Sequence, residues 1–278
     1  WNYLYIKGNS MNSINSNARD NLNHAVVIVG WDDNYDKSNF LQKPKNNGAF
    51  LVRNSWGTND HGYYWVSYED KSIVPTYTIQ DYEKTASNER IYNLEEGALC
   101  STVAINKKTA GFENIFSLKG KEQLDKISFY TSDVGAEYQI YYVPLDQNGN
   151  LDLNGMKAIS ESGTVNYEGY YTKQIKLPII KQGKVAIMVV IKSSGKNASM
   201  GAEGTYDAAS AKYYVPSISK GESYLVTDYG SQDSYKENYG NWTIKLTTRN
   251  ANDKSVTQDN KIQNIKKEIT EKDLGLHS

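Results

Sequence analysis

Apolar and polar positions alternate in short blocks over the first eighty residues. Residues 1–6, 25–29, 49–52 and 63–68 are rich in β-branched and aromatic side chains and too short to make useful helices, so each reads as a strand. The polar stretches 9–23 and 32–47, dense in Asn, Ser, Asp and Lys, read as loops. Together they describe the edge of a barrel or sheet. Residues 82–96 are mixed and charged, and the domain boundary is placed there. From 99 to 250 eight strand candidates recur, at 102–105, 113–117, 126–131, 138–143, 170–177, 184–191, 224–227 and 242–247. Turn residues such as Gly120, Asn148 with Gly149, Gly183 and Gly221 separate them. Short strands without a long helix predict an all-β sandwich of jelly-roll type. The rest is polar, with Ile262, Ile265 and Ile269 at helical spacing, and reads as a linker or marginal helix. The expected organisation is 1–85, 90–250 and a tail over 251–278.

Composition narrows the partners. A formal charge of −1 over 278 residues gives no broad pull toward nucleic acid or anionic lipid. The longest apolar run, Val185 to Ile191, is far short of the roughly 20 residues a membrane helix needs, so no membrane span is expected. The lone cysteine, Cys100, excludes an intrachain disulfide framework and a cysteine-rich zinc site. Abundant Asn and a Lys excess over Arg suggest an AT-rich bacterial source.

The informative segments are His24-Ala-Val-Val-Ile-Val-Gly30 and Gly48-Ala-Phe-Leu-Val-Arg-Asn54-Ser-Trp56-Gly57. If they pair antiparallel with Gly30 opposite Ala49, counting back places His24 opposite Ser55 and beside Asn54. An imidazole, whose ordinary pKa of about 6.5 lies near working pH, can take a proton from a thiol and return it to a leaving amine. An amide oxygen accepting from the other ring nitrogen fixes tautomer and orientation. His24 and Asn54 suit these two roles, and the Trp56 indole is placed to shield their contact from water.

The run Asn23-His24-Ala25-Val26-Val27-Ile28-Val29-Gly30-Trp31, with Val52-Arg53-Asn54-Ser55-Trp56-Gly57-Thr58 and Gly62-Tyr63-Tyr64-Trp65-Val66-Ser67, resembles the C-terminal half of papain-family cysteine peptidases. The resemblance covers residues 1–80 and implies His24 as catalytic base and Asn54 as its orienting partner. It also implies a barrel-like half-domain, mainly β here in a fold that is α+β overall. With a Tyr-rich β domain following, the arrangement is similar to clostridial surface or secreted cysteine peptidases that carry a lectin-like domain. In the family the nucleophilic Cys and the oxyanion-hole Gln lie more than a hundred residues before the histidine. Only 23 residues precede His24 here, so no nucleophile is expected in this chain.

Other candidates have plainer explanations. Cys100 follows the histidine and reads as a small buried hydrophobe, His61 as a loop residue and His277 as part of a frayed end. The loop Asp146-Gln-Asn148-Gly-Asn150-Leu-Asp152 alternates oxygen ligands as calcium loops do, but an Asn-Gly turn explains it better. No metal or cofactor is otherwise expected. Tyr141, Tyr142, Tyr170 and Tyr171 are weighed as a sugar-stacking platform against the plainer role of covering a sheet face. The expected function is therefore a secreted or surface-attached bacterial cysteine endopeptidase that acts on proteins and needs a missing N-terminal half. The alternative is a non-catalytic adhesion protein binding cell-wall glycan through its sandwich.

Overall fold

The computed structural model describes residues 6–13, 24–55, 62–74, 78–79, 83–96, 101–175, 179–204, 216–237, 239–251 and 265–276. The chain divides into two compact units, Trp1–Tyr82 and Glu83–Ser278.

The first unit carries β1 (Ile6–Lys7), β2 (Ser10–Met11), β3 (Val27–Asp32), β4 (Ala49–Arg53) and β5 (Tyr63–Ser67) in one open sheet of order β1-β2-β5-β4-β3. β4 and β5 pair antiparallel from Ala49↔Ser67 to Arg53↔Tyr63, and Val52, Tyr64, Val66 and Met11 form a small core between them and their neighbours. Gly48 opens β4 at φ +113°, and a Cβ there would stand 2.6 Å from the Tyr68 ring, so both conformation and space require glycine. β3 lies at the sheet edge, and its apolar residues are exposed rather than buried, with Val27, Val29 and Trp31 at 61%, 50% and 68%.

The second unit contributes β6 (Glu89–Asn93), β7 (Ser101–Ile105), β8 (Thr109–Thr131), β9 (Glu137–Val143), β10 (Lys157–Ala158), β11 (Gly163–Thr164) and β12 (Gly169–Gln174). It continues with β13 (Ile180–Lys192), β14 (Ala198–Glu203), β15 (Ser223–Thr227), β16 (Gly230–Asp233), β17 (Asn241–Trp242) and β18 (Ile244–Asn250). A ten-stranded sheet runs β10-β9-β13-β8-β15-β16, with β11, β12, β18 and β6 paired off that path, and a smaller sheet runs β17-β14-β7. Between them lies the main core, where Phe112, Phe116, Phe129, Ile187, Met200 and Trp242 are buried together. Alternation along β8 and β13 sends Ile115, Met188 and Val190 to the opposite face, into a second cluster.

Three expectations are corrected here. Gly183 lies inside β13 (Ile180–Lys192) rather than in a turn, and Gly120 is not a turn either, because β8 runs unbroken from Thr109 to Thr131. Gly120 falls opposite the register shift between Lys181 and Gly183 of β13, where the ladder is interrupted without the chain reversing. The charged stretch before the sandwich contains β6, which pairs with β18. Finally, residues 265–276 are neither a loose linker nor a helix. They form turns that bury Ile269 and Leu274 in the second cluster, and the backbone N–H groups of Glu268 and Ile269 go to the Gln139 side chain instead of an i−4 carbonyl.

Candidate active site

β3 and β4 pair as Val27↔Arg53 and Ile28↔Val52, then, past a bulge between Ile28 and Gly30, as Gly30↔Leu51, Trp31↔Phe50 and Asp32↔Ala49. The expected Gly30–Ala49 register was therefore off. The predicted neighbours meet nonetheless, because His24 lies ahead of β3, outside the ladder, and its side chain reaches across to Asn54. The paired strands fix which end of the sheet the two residues share, and the local approach sets the distance.

Asn54 follows directly on β4. Its backbone N–H donates to the Gly62 carbonyl at 2.9 Å, extending the β4–β5 ladder by one bond. Its side chain is buried, and Oδ1 accepts from the Ser55 backbone N–H at 2.8 Å. That donor settles which end of the amide is oxygen. His24 Nε2 lies 2.9 Å from the same Oδ1. An amide oxygen can only accept, so Nε2 carries the proton and Nδ1 is the basic atom of the neutral ring. Asn54 Nδ2 is buried without a hydrogen-bond partner among the described residues.

On the far side of the hairpin the Tyr68 hydroxyl donates to Asp33 at 2.7 Å. Its pKa is pushed up to about 12, first by burial and then by that carboxylate. Tyr35 stacks on Trp65 with ring centroids 4.6 Å apart. These contacts clamp the β3–β4 connection behind the site.

Trp56 lies outside the described residues, as do His61, Cys100 and His277. The Gly62 carbonyl and the Ser55 amide were missed in the sequence, since backbone groups leave no residue signature. In the second unit the four tyrosines do not share a platform. Tyr141 is fully buried, Tyr171 stacks within the core on Phe129 and Tyr167, and Tyr170 alone of the four counts as exposed, with its ring still packed edge-on against Tyr130 and under Lys245. The Asp146 carboxylate closes its own turn, accepting from the Asn148 and Asn150 backbone N–H groups at 2.8 Å each, and its pKa is lowered chiefly by the Asn150 bond. Among the described residues, no cluster of three or more His, Cys, Asp or Glu side chains could hold a metal ion, and no helix is long and apolar enough to cross a membrane.

Comparison with known proteins places these features. Residues 3–87 match the family described as papain family cysteine protease, and residues 91–268 match the lectin like domain family. A search of curated proteins finds no match. Among solved structures the chain is similar to the cysteine protease and lectin-like domains of Cwp84, a surface layer associated protein of Clostridium difficile. Identity is 34% with a TM-score of 0.73, over 88% of this chain and 55% of that one. It is equally similar, at 34% identity and TM-score 0.73, to a variant of that clostridial cysteine protease after propeptide cleavage, covering 88% of this chain and 62% of the other. The chain thus spans 55% to 62% of the length of these relatives. The lectin like domain match spans more than half of the chain, so the chain belongs to the lectin like domain family, and the segment before it, residues 3–87, is similar to papain family cysteine proteases.

Proposed function

We propose that this chain supplies the general base, His24, and its orienting partner, Asn54, to a cysteine endopeptidase site whose sulfur comes from outside these 278 residues. The observation that carries the reading is the 2.9 Å contact between His24 Nε2 and Asn54 Oδ1, with the amide orientation fixed by the Ser55 N–H. That arrangement holds the ring so that Nδ1 can take a proton. A thiol brought to Nδ1 would pass its proton to the ring and attack a peptide carbonyl with its Sγ. The imidazolium would return the proton to the leaving amine, leaving a thioester that water hydrolyses to release the acid and regenerate the thiol.

The exposed edge strand supports the idea of a missing half. Val27, Val29 and Trp31 are exposed on an edge strand with one side unpaired, and Val27 and Trp31 lie on opposite faces past the bulge, so the strand offers apolar surface on both sides that proteins normally cover. The remainder of the protease domain is its proposed cover. Protein substrates and a secreted or cell-surface bacterial location complete the reading, since the similar Cwp84 is a surface layer associated cysteine protease.

The test is cleavage of an unstructured protein under reducing conditions. The 278-residue chain alone should show none. The same chain fused behind the N-terminal half of the Cwp84 protease domain should cleave, and His24→Ala should abolish that activity. Cleavage by the chain alone would refute the external sulfur, and a fusion indifferent to His24→Ala would refute the base.

A further inference from the structure

Gln139, in the middle of β9, is completely buried, and its carboxamide is turned toward residues 265–276. Its Oε1 accepts from the backbone N–H groups of Glu268 at 2.7 Å and Ile269 at 3.1 Å, while its Nε2 donates to the Lys266 carbonyl at 2.8 Å and to the Ser160 carbonyl at 3.1 Å. The Tyr141 hydroxyl sits between Gln139 Oε1, at 2.7 Å, and the Ile269 carbonyl. A buried amide is costly unless its polar atoms are matched, and here most of its bonds go to main-chain groups of one short segment. The side chain thus acts as an extra peptide unit standing out from the sheet, reading backbone rather than side chains.

Side-chain recognition is added on both flanks. Ile269 and Leu274 are buried against a floor that includes Met188, Val190 and Val226. Asp273 caps the turn by accepting from the Thr270 N–H at 2.9 Å, and Lys192 of β13 pairs with it at 3.4 Å. Gly275 takes φ +77°, and a Cβ there would come 2.6 Å from Asp228 Cβ, so the segment approaches the β15–β16 turn as only glycine can. The lectin like domain match ends at residue 268, before both apolar anchors.

We infer that this face of the sandwich is a peptide-binding groove whose ligand is residues 265–276 of the same chain, and that it takes the same segment in trans once the tethered one is removed. Backbone capture by Gln139 and Tyr141 gives the affinity, and two apolar anchors five residues apart followed by glycine give the selectivity. This is independent of the peptidase reading, since the groove lies wholly within the second unit.

Two measurements test it. In the intact chain, the amides of Glu268 and Ile269 should exchange slowly with solvent, and Gln139→Ala should speed them by at least about tenfold while β13 amides stay protected. Amides at 268 and 269 that exchange in the wild type as fast as unstructured chain would overturn the inference. For the second, a labelled peptide of residues 265–276 is titrated into the chain ending at Asn250. It should bind saturably, or refold that chain if truncation unfolds it. The full chain should bind it at least about tenfold more weakly, because its own segment competes at high effective concentration. Peptides with Ile269→Asp or Gly275→Ala should lose at least about tenfold in affinity, and these changes leave the receptor untouched. A truncated chain that neither binds the peptide nor is refolded by it would overturn the proposal, as would equal binding of the altered peptides.

Discussion

The two units place their apolar residues in opposite ways. Among the described residues, the sandwich gathers 26 buried side chains in one cluster and 11 in another, whereas the first unit has a cluster of four and leaves its apolar edge strand exposed. Hydrophobic stabilisation grows with the area removed from water, so the sandwich has the means to fold by itself and the first unit far less. The difference is one of packing: the sandwich closes over most of its apolar side chains, while the first unit leaves an apolar edge strand uncovered among the described residues.

The comparison breaks if damage to the sandwich core spreads evenly through the chain. Phe112 is fully buried and packs edge-on to Trp242 with ring centroids 4.9 Å apart. Phe112→Ala should cost the sandwich about 3–5 kcal/mol, since it removes a large ring and leaves a cavity in a closed core. Calorimetry should show the sandwich transition falling while that of the first unit holds its place. A single transition moving as a whole would mean the two units are one cooperative body.

A second difference is electrostatic. Glu113 of β8 is completely buried, neither carboxyl oxygen has a hydrogen-bond partner among the described residues, and burial raises its pKa from 4.5 to about 8. Its acid form is therefore the folded form at neutral pH. The unfolded chain releases this proton near pH 4.5 and the folded chain only near 8, so this group's contribution to stability is whole below about pH 4.5 and is lost as pH rises through 8. The slope between those values is at most about 1.4 kcal/mol per pH unit. Glu113→Gln should flatten it, as denaturant midpoints at pH 5 and pH 8 would reveal. An unchanged slope would show that Glu113 is charged in the fold and matched in some other way.

Third comes Asn54→Ala, where the energy is about 1 kcal/mol but the chemistry is larger. Without the Oδ1 acceptor, the His24 ring loses the contact that places the proton on Nε2. Ring 15N shifts should show the Nε2–H tautomer in the native chain and a mixture in the variant. A native ring protonated at Nδ1 would remove His24 as the base.

What the sequence made legible follows the same division. His24 and Asn54 stood out because their flanking apolar runs implied pairing, and strand pairing brings distant residues to one end of a sheet whatever the loop length. The bulge between Ile28 and Gly30 was invisible, since Val27, Ile28 and Val29 are equally β-branched and none marks an extra residue. β14, Ala198 to Glu203, went unseen because it is buried on both faces by small residues, so it shows no alternation. Residues 265–276 misled for a different reason. Ile265 and Ile269 sit at helical spacing, but the buried Gln139 competes successfully for the backbone groups a helix would use.

The smallest energetic change sharpens the comparison most directly. Val29 is half exposed on the edge strand and lies at the bulge, so a lysine there would sit in water and disturb neither the β4 ladder nor the cluster around Val52. Val29→Lys should leave stability within about 0.5 kcal/mol. It should nonetheless lower the binding of an apolar-surface dye and suppress self-association at high concentration, because an edge lysine blunts strand-to-strand addition. In the fusion that carries the N-terminal protease half, the same substitution should now destabilise, since the edge strand would be covered and the charge desolvated. A lysine equally harmless in both settings would mean that the edge strand is ordinary surface and that the partner half docks elsewhere.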